Sequence, residues 1–443
     1  MKVVVWLLGV VLGLRIWRDS PYLQWELGKE RELTGFLPPT HPISDTNSIA
    51  GFSGYSGLLP VKKDGSALFY WLTERIGGNI TSDQAPLLLW LQGGPGCSSL
   101  IGNLYEFGPF AIDNRQRPRP RKDSWAEDYH LLFIDNPFGA GFSFTPTSDY
   151  VRSEEDMADY LYTALSALCT MHSTWFKERD FYVFGESYAG KFIPNVAKLV
   201  LDKSLGLTKC PIRLQGIGLG NAWVHPVVQT LSMSNYSHAA GLVTEQERLE
   251  AAGIERRAKA AYEAGNYGES NQLSIEASLY IAHKAGDINP YNVREFGNYD
   301  LSDMAMWLMS ARTKEALHVP GHLAYNQCGE PAYLALEEDE MQPVASLLSS
   351  LLDRGLKVLV YTGQDDLICN TLGTTQYLEE LEWRGQQGYR ASKAELWRVD
   401  GQVAGHVRTY DTLMQAVVIG AGHMVPRDQL RRSRDLLRQF LAA

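Results

Sequence analysis

The sequence predicts an α/β fold: a mostly parallel central sheet with helices on both faces, broken by a helical cap insertion. Three observations predict it. Short apolar runs of strand length recur along the 443 residues, each bounded by Gly, Pro or Asp. Helix-patterned stretches lie between several of them, which is the signature of parallel strands buried on both faces. Residues 222–312 break that rhythm with charged helical sequence and no strong strand signal.

The strand runs, in order, are "ALFYWL" (67–72), "PLLLWL" (86–91), "HLLFID" (130–135), "FYVFG" (181–185), "LQGIGLG" (214–220), "KVLVYTG" (357–363) and "AVVIGAG" (416–422). Between the third and fourth, "SEEDMADYLYTALSAL" places Ser153 and Asp156 in capping-box spacing. Met157, Leu161, Ala164, Leu165 and Leu168 follow at helical intervals. "KFIPNVAKLVLDK", after the fourth run, reads as a second helix, and "TEQERLEAAGIERRAKAAYEAGNY" as an insertion lying above the sheet. No internal repeat and no interdomain linker is visible. The expected organisation is residues 1–18 as a signal peptide, 19–45 as an N-terminal arm or pro-segment, 46–221 as the first part of the core, 222–312 as the cap and 313–443 as the second part.

The signal rests on Lys2 followed by an apolar run from Val3 to Leu14. That run is shorter than the roughly 20 residues a bilayer needs, and has the form of a secretory leader. A buried N-terminal helix is the alternative. Sequons at Asn79 and Asn235 agree with secretion. Five cysteines leave at least one thiol unpaired within the chain. Hydrophobic residues make up 45% of the chain and aromatic residues 11%, enough for a large core. A net charge of −10 argues against general nucleic-acid binding. No stretch beyond the leader approaches transmembrane length. No CxxC pair, HExxH or P-loop occurs, so no metal or nucleotide cofactor is expected. A homodimer is left open.

The chemistry centres on "DFYVFGESYAG" (180–190), where Ser187 follows a strand in G-x-S-x-A form, the pattern of a nucleophile elbow. A serine hydroxyl needs a base, usually a histidine held by a carboxylate. α/β-Hydrolases supply the partners in the order serine, acid, histidine, each after a strand. "VLVYTGQDDLICN" puts Asp365 and Asp366 past one strand, and "VVIGAGHMVP" puts His423 past the next. An oxyanion hole is available from the N–H of Tyr188 and from Gly94 in "WLQGGPGCSS". Each signal is weak alone; order, strand-end position and the glycine loop together are strong. Glu186 is the anomaly, because a carboxylate beside the nucleophile opposes the developing oxyanion.

"WLQGGPGCSSL", "FGPF", "FIDNPFGAGFSF", "FGESYAGKFIP", "GIGLGNAW", "VLVYTGQDDLICN" and "VAGHVRTYDTL…VVIGAGHMVPRDQ" together resemble the serine carboxypeptidases, from about Gly51 to the end. "WLQGGPG" and "GKERELTG" are most similar to the vitellogenic-carboxypeptidase-like branch. The resemblance implies the α/β-hydrolase fold and a serine-type carboxypeptidase of the secretory pathway, lysosomal or secreted, acting on peptides with a free C-terminus. It implies Ser187, Asp366 and His423 as catalytic residues, Gly94 and Tyr188 as oxyanion donors, and Gln92, Gly93, Glu106 and Glu186 as the holders of the substrate's terminal carboxylate. It selects Asp366 over Asp365, whose own reading is a turn or N-cap. It also pairs Cys97 with Cys328, and matches Cys369 to a cysteine free in some relatives; Cys169 and Cys210 stay unassigned.

The resemblance gives Glu186 a task that physics supports. Two carboxyls sharing a site cannot both ionise cheaply, so one holds a proton and donates to a third carboxylate. Once both ionise, each like-charge contact costs about 4 kcal/mol at an effective dielectric of 20. Peptide binding should therefore favour acid. The chain departs from the wider family in having Gln92 for Asn, Ala126 for the Asn after Ser-Trp, and no cysteine within 222–312. The alternatives are an acyltransferase on the same fold and a non-catalytic protective or binding partner. Three charged runs take plain readings: "RQRPRPRK" (115–122) as a solvated loop, "ERRAK" (255–259) as an exposed helix face or a processing site, and "LRRSRDLLRQFL" (430–441) as a closing helix with solvated arginines.

Overall fold

A computed structural model describes residues 41–42, 51–177, 179–204 and 211–442. The leader segment 1–18, all but two residues of the 19–45 arm, and Cys210 lie outside the described residues. The main sheet has eleven strands: β1 (His41–Pro42), β2 (Gly54–Pro60), β3 (Ala67–Thr73), β4 (Leu87–Leu91), β5 (His130–Ile134), β6 (Phe181–Glu186), β7 (Leu214–Gly220), β8 (Lys357–Gly363), β9 (Glu395–Val399), β10 (Gln402–Tyr410) and β11 (Leu413–Val418). Their spatial order is β1-β2-β3-β5-β4-β6-β7-β8-β11-β10-β9. The six strands from β5 to β11 in that order are parallel. The margins β1-β2-β3 and β10-β9 join them antiparallel.

The seven expected strands all form. They read as unbroken apolar runs because both sheet faces are buried. In β4, Leu87, Leu89 and Leu91 enter one core while Leu88 and Trp90 enter the other. Helices α1 (Glu154–Met171) and α2 (Ala189–Ser204) pack on the first face, with α5 (Ala345–Asp353). The second face is covered by a short helix, Gly102–Phe107, and by α6 (Leu430–Ala442). The Ser153 side chain caps α1 by accepting from Asp156 N at 3.2 Å. The five apolar residues expected to repeat along α1 are all buried.

The strands not foreseen are short or marginal. β9 and β10 lie at one margin of the sheet and mix polar with apolar residues, so they contain no apolar run. β1 lies in the arm that reads as irregular, and pairs His41 and Pro42 with Ser56 and Tyr55. The insertion contains two long helices, α3 (Glu245–Glu263) and α4 (Tyr267–Lys284). A complete Thr244–Glu247 capping box starts the first of them. A small antiparallel hairpin, Ile288–Asn289 with Asn292–Phe296, follows them and corrects the reading of that region as free of strands. The "ERRAK" run sits in the middle of α3, with Arg256, Arg257 and Lys259 exposed but Glu255 buried against Ser234.

Two arginines depart from the solvated readings. Arg434 is buried and pairs with Asp128 and Glu127. Arg121 turns inward while its neighbours Arg117 and Arg119 pair with Asp113 at the surface. Among the described residues no helix is long and apolar enough to cross a membrane.

Candidate active site

Ser187 stands between β6 and α2 at φ 64°, the left-handed conformation that a side chain adopts only when its surroundings enforce it. The enforcing bonds are local. Ser187 N donates to Gly220 O at 3.0 Å, and Ser187 O accepts from Gly190 N and Trp223 N, both at 2.9 Å. A sharp strand-to-helix turn therefore lifts the hydroxyl above the C-terminal edge of the sheet. The next side chain anchors the turn from below: Tyr188 Oη donates to Asp339 Oδ2 at 2.8 Å, and the buried Lys191 ammonium contacts the same carboxylate.

The other expected groups leave the same edge, from strands adjacent in space. Register places Glu186 opposite Gly220, Gly220 opposite Tyr361, and Gly363 opposite Val418. Asp366 and His423 follow β8 and β11 by a few residues. His423 Nδ1 lies 2.8 Å from Asp366 Oδ2, with both side chains buried. Asn221 Nδ2 donates to the same oxygen at 2.7 Å, and Ile368 N donates to Oδ1 at 2.9 Å. Both carboxylate oxygens are thus held, and the imidazole's orientation is set. Nδ1 donates to the carboxylate, which leaves Nε2 as the acceptor. The histidine loop is held by the insertion, since His423 N donates to Tyr291 O at 2.7 Å and the two rings meet at 5.0 Å.

Asn221 and Tyr291 were not singled out in the sequence. Asn221 was visible as the first residue past a strand in "GLGNAW"; Tyr291 acts through its carbonyl, so residue type gives no signal. Asp365 lies in the turn that follows β8, in keeping with its turn reading, and its carboxyl lies 3.4 Å from Arg294 of the Ile288–Phe296 hairpin.

The glycine loop after β4 lies directly against the elbow. A Cβ on Gly93 would sit 2.6 Å from Ser187 Cβ and 2.6 Å from Tyr188 N. Gly94 follows at φ 117°, a conformation open to glycine. The loop's floor is Asp135, which accepts from Ser98 Oγ at 2.6 Å, Ser99 N at 2.9 Å and Phe142 N at 3.0 Å. Its far end is tied by the Cys97–Cys328 disulfide, as the resemblance implied. Cys169 is also disulfide-bonded. Gly93→Ala is expected to lower kcat/KM by about 100-fold or more, the cost of misplacing oxyanion donors, while the protein still folds. Steady-state kinetics with a melting curve checks it; near-native kinetics would show that the loop does not serve the elbow.

Beside Ser187, two buried carboxyls meet across one amide. Trp90 Nε1 donates to Gln92 Oε1 at 2.8 Å, which turns the Gln92 NH₂ toward the acids. Gln92 Nε2 donates to Glu186 Oε1 at 3.0 Å and to Glu106 Oε1 at 3.4 Å. Burial pushes Glu106 up to about 7. Glu186 is raised well above the usual carboxyl range, by burial first and then by the charge of Glu106.

Cys369 is a free thiol buried beside this machinery. Its Sγ, Asp366 and His423 offer atoms within 4.8 Å of one another. Burial pushes the thiol well up and Asp366 is already fully hydrogen-bonded, so the trio is not a ready metal ligand set.

Residues 42–443 match the serine carboxypeptidase family. The chain is 31% identical over 394 residues to serine carboxypeptidase S10 family member 1 of Dictyostelium discoideum, covering 87% of this chain and 93% of that one. It is 32% identical over 411 residues to serine carboxypeptidase-like 47 of Arabidopsis thaliana, covering 89% and 79%. In structure it resembles Kex1(Δ)p, a prohormone-processing carboxypeptidase of Saccharomyces cerevisiae, with a TM-score of 0.82 at 22% identity over 92% of this chain and 97% of that one. That likeness extends the α/β-hydrolase fold to the whole sheet. This chain belongs to the serine carboxypeptidase family and is a serine-type hydrolase of the α/β-hydrolase fold.

Proposed function

We propose that the protein removes C-terminal residues from peptides and proteins at acidic pH, through an acyl-enzyme. Ser187 Oγ attacks the last peptide carbonyl as His423 Nε2 takes its proton. Asp366 holds the imidazole and stabilises its charged form. The N–H groups of Gly94 and Tyr188 receive the oxyanion. His423 returns the proton to the leaving amine, and water then releases the acyl group by the same steps in reverse order. Gln92, Gly93, Glu106 and Glu186 hold the substrate's terminal carboxylate. Residues 222–312 act as a cap over this edge, consistent with contacts from Tyr236 to Gln364, Tyr291 to His423 and Arg294 to Asp365.

The observation that carries the reading is the buried Glu106–Gln92–Glu186 cluster one residue from the nucleophile. It matches a free C-terminus rather than an internal peptide bond, and it gives an acyltransferase no benefit. The location proposed is the secretory pathway, lysosomal or secreted. The exposed side chains of Asn79 and Asn235 are the glycosylation candidates.

The test is the pH dependence of kcat/KM for a blocked dipeptide beside its C-terminal amide. Both carboxyls have raised pKa values, so the pair holds its protons at acid pH and gives them up as pH rises. The free acid should be strongly preferred at pH 5, with the preference fading above neutrality. Equal rates for acid and amide at every pH would remove carboxylate recognition from the reading.

A further inference from the structure

Glu106 lies in the last turn of the Gly102–Phe107 helix, where carbonyl groups run out of partners. Arg121 supplies them. Its Nη1 donates to Asn103 O at 3.1 Å and to Gly108 O at 2.8 Å, and its Nη2 donates to Leu104 O at 2.6 Å. Arg121 N also donates to Pro109 O at 2.8 Å, which fixes the side chain's origin. Ser124 Oγ takes the carbonyl of Phe107 at 2.7 Å. Among the described residues no carboxylate lies within ion-pair distance of this guanidinium, and Glu106 is the acid that acts on its charge. Burial brings Arg121 down to about 10, so it remains charged wherever the site works.

The electrostatics of peptide capture make this cation useful. With one proton shared, the Glu106–Glu186 pair carries one negative charge, and an entering peptide carboxylate adds a second. The negative end of the Glu106 helix adds partial charge of the same sign. The other titratable groups facing Glu106 are Glu186, His423 and Asp428. We propose that Arg121 is a positioning residue for carboxylate recognition: it caps the Glu106 helix with a half-buried positive charge, holds Glu106 against Glu186, and offsets the negative charge that gathers when a peptide C-terminus binds.

The proposal rests on the carboxylate-recognition reading above, and its test separates the two. Wild type, Arg121→Met and Arg121→Lys are assayed with the blocked dipeptide and its amide from pH 4.5 to 8. Arg121→Met should raise KM for the free acid by about tenfold more than for the amide. The pH at which the acid preference fades should also move up, because losing a nearby cation favours the protonated pair. Arg121→Lys keeps the charge but cannot span three carbonyls, so it should fall between. A folded Arg121→Met with the wild-type acid-to-amide ratio and an unshifted pH limit overturns the proposal. If Arg121→Met fails to fold, Arg121→Lys decides: an acid-selective rise in KM supports the proposal, and equal rises for acid and amide reduce Arg121 to a structural residue. If wild type itself shows no acid preference, the carboxylate reading fails and this proposal falls with it.

Discussion

Ser187→Ala is expected to lower kcat by about six orders of magnitude while the protein still binds free-acid peptides. In the proposed acyl-enzyme mechanism the serine is the group that bonds to substrate, with no neighbouring nucleophile to stand in. Cys369 is the nearest alternative, but its thiol is buried and its pKa pushed well up, so it holds little thiolate. Adding His423→Ala should cost almost nothing further, because nucleophile and base act as a unit. Burst kinetics and calorimetric titration with an unreacted peptide check both halves. Residual turnover within a hundredfold of wild type would remove Ser187 from the mechanism.

Asp366→Asn should lower kcat by about four orders of magnitude with little change in KM. Its Oδ2 accepts from His423 and from Asn221, and its Oδ1 from Ile368 N. An asparagine must place its NH₂ at one of these positions. Facing His423, it would donate to Nδ1 and drive the imidazole proton to Nε2, where it blocks attack. Facing Ile368, it would oppose the Ile368 N–H and lose the negative charge that stabilises the imidazolium. Asp365→Asn removes an exposed contact to Arg294 and is the control. A kcat for Asp366→Asn within tenfold of wild type would overturn the assignment.

The centre of the fold was legible because its strands are buried on both faces and so appear as apolar runs. β4 and β8 show this plainly. The margins were not, since β9 and β10 mix polar residues among their apolar ones and show no apolar run. In the site, Ser187, His423 and the Asp365–Asp366 pair were readable from strand-end position and chain order, while the choice of Asp366 and the carboxylate pair came from the resemblance. Asn221, Tyr291 and Arg121 were hidden for a common reason. Each acts on a partner that only the folded chain brings near: a side chain 145 residues away for Asn221, a backbone N–H for Tyr291, and a helix end for Arg121. A basic run gives no hint that one of its arginines faces inward.

A carboxypeptidase takes chain ends in extended form, so a segment locked into a packed helix is a poor substrate for it. α6 is a segment of that kind. There Leu436, Leu437 and Phe440 are buried, Ser433 takes the indole of Trp125 at 3.0 Å, and Arg434 and Arg438 share Asp128. Each of its residues must be peeled from the sheet before it can extend into an active site. The helix that closes the second face of the sheet therefore also shields its own segment of chain from trimming.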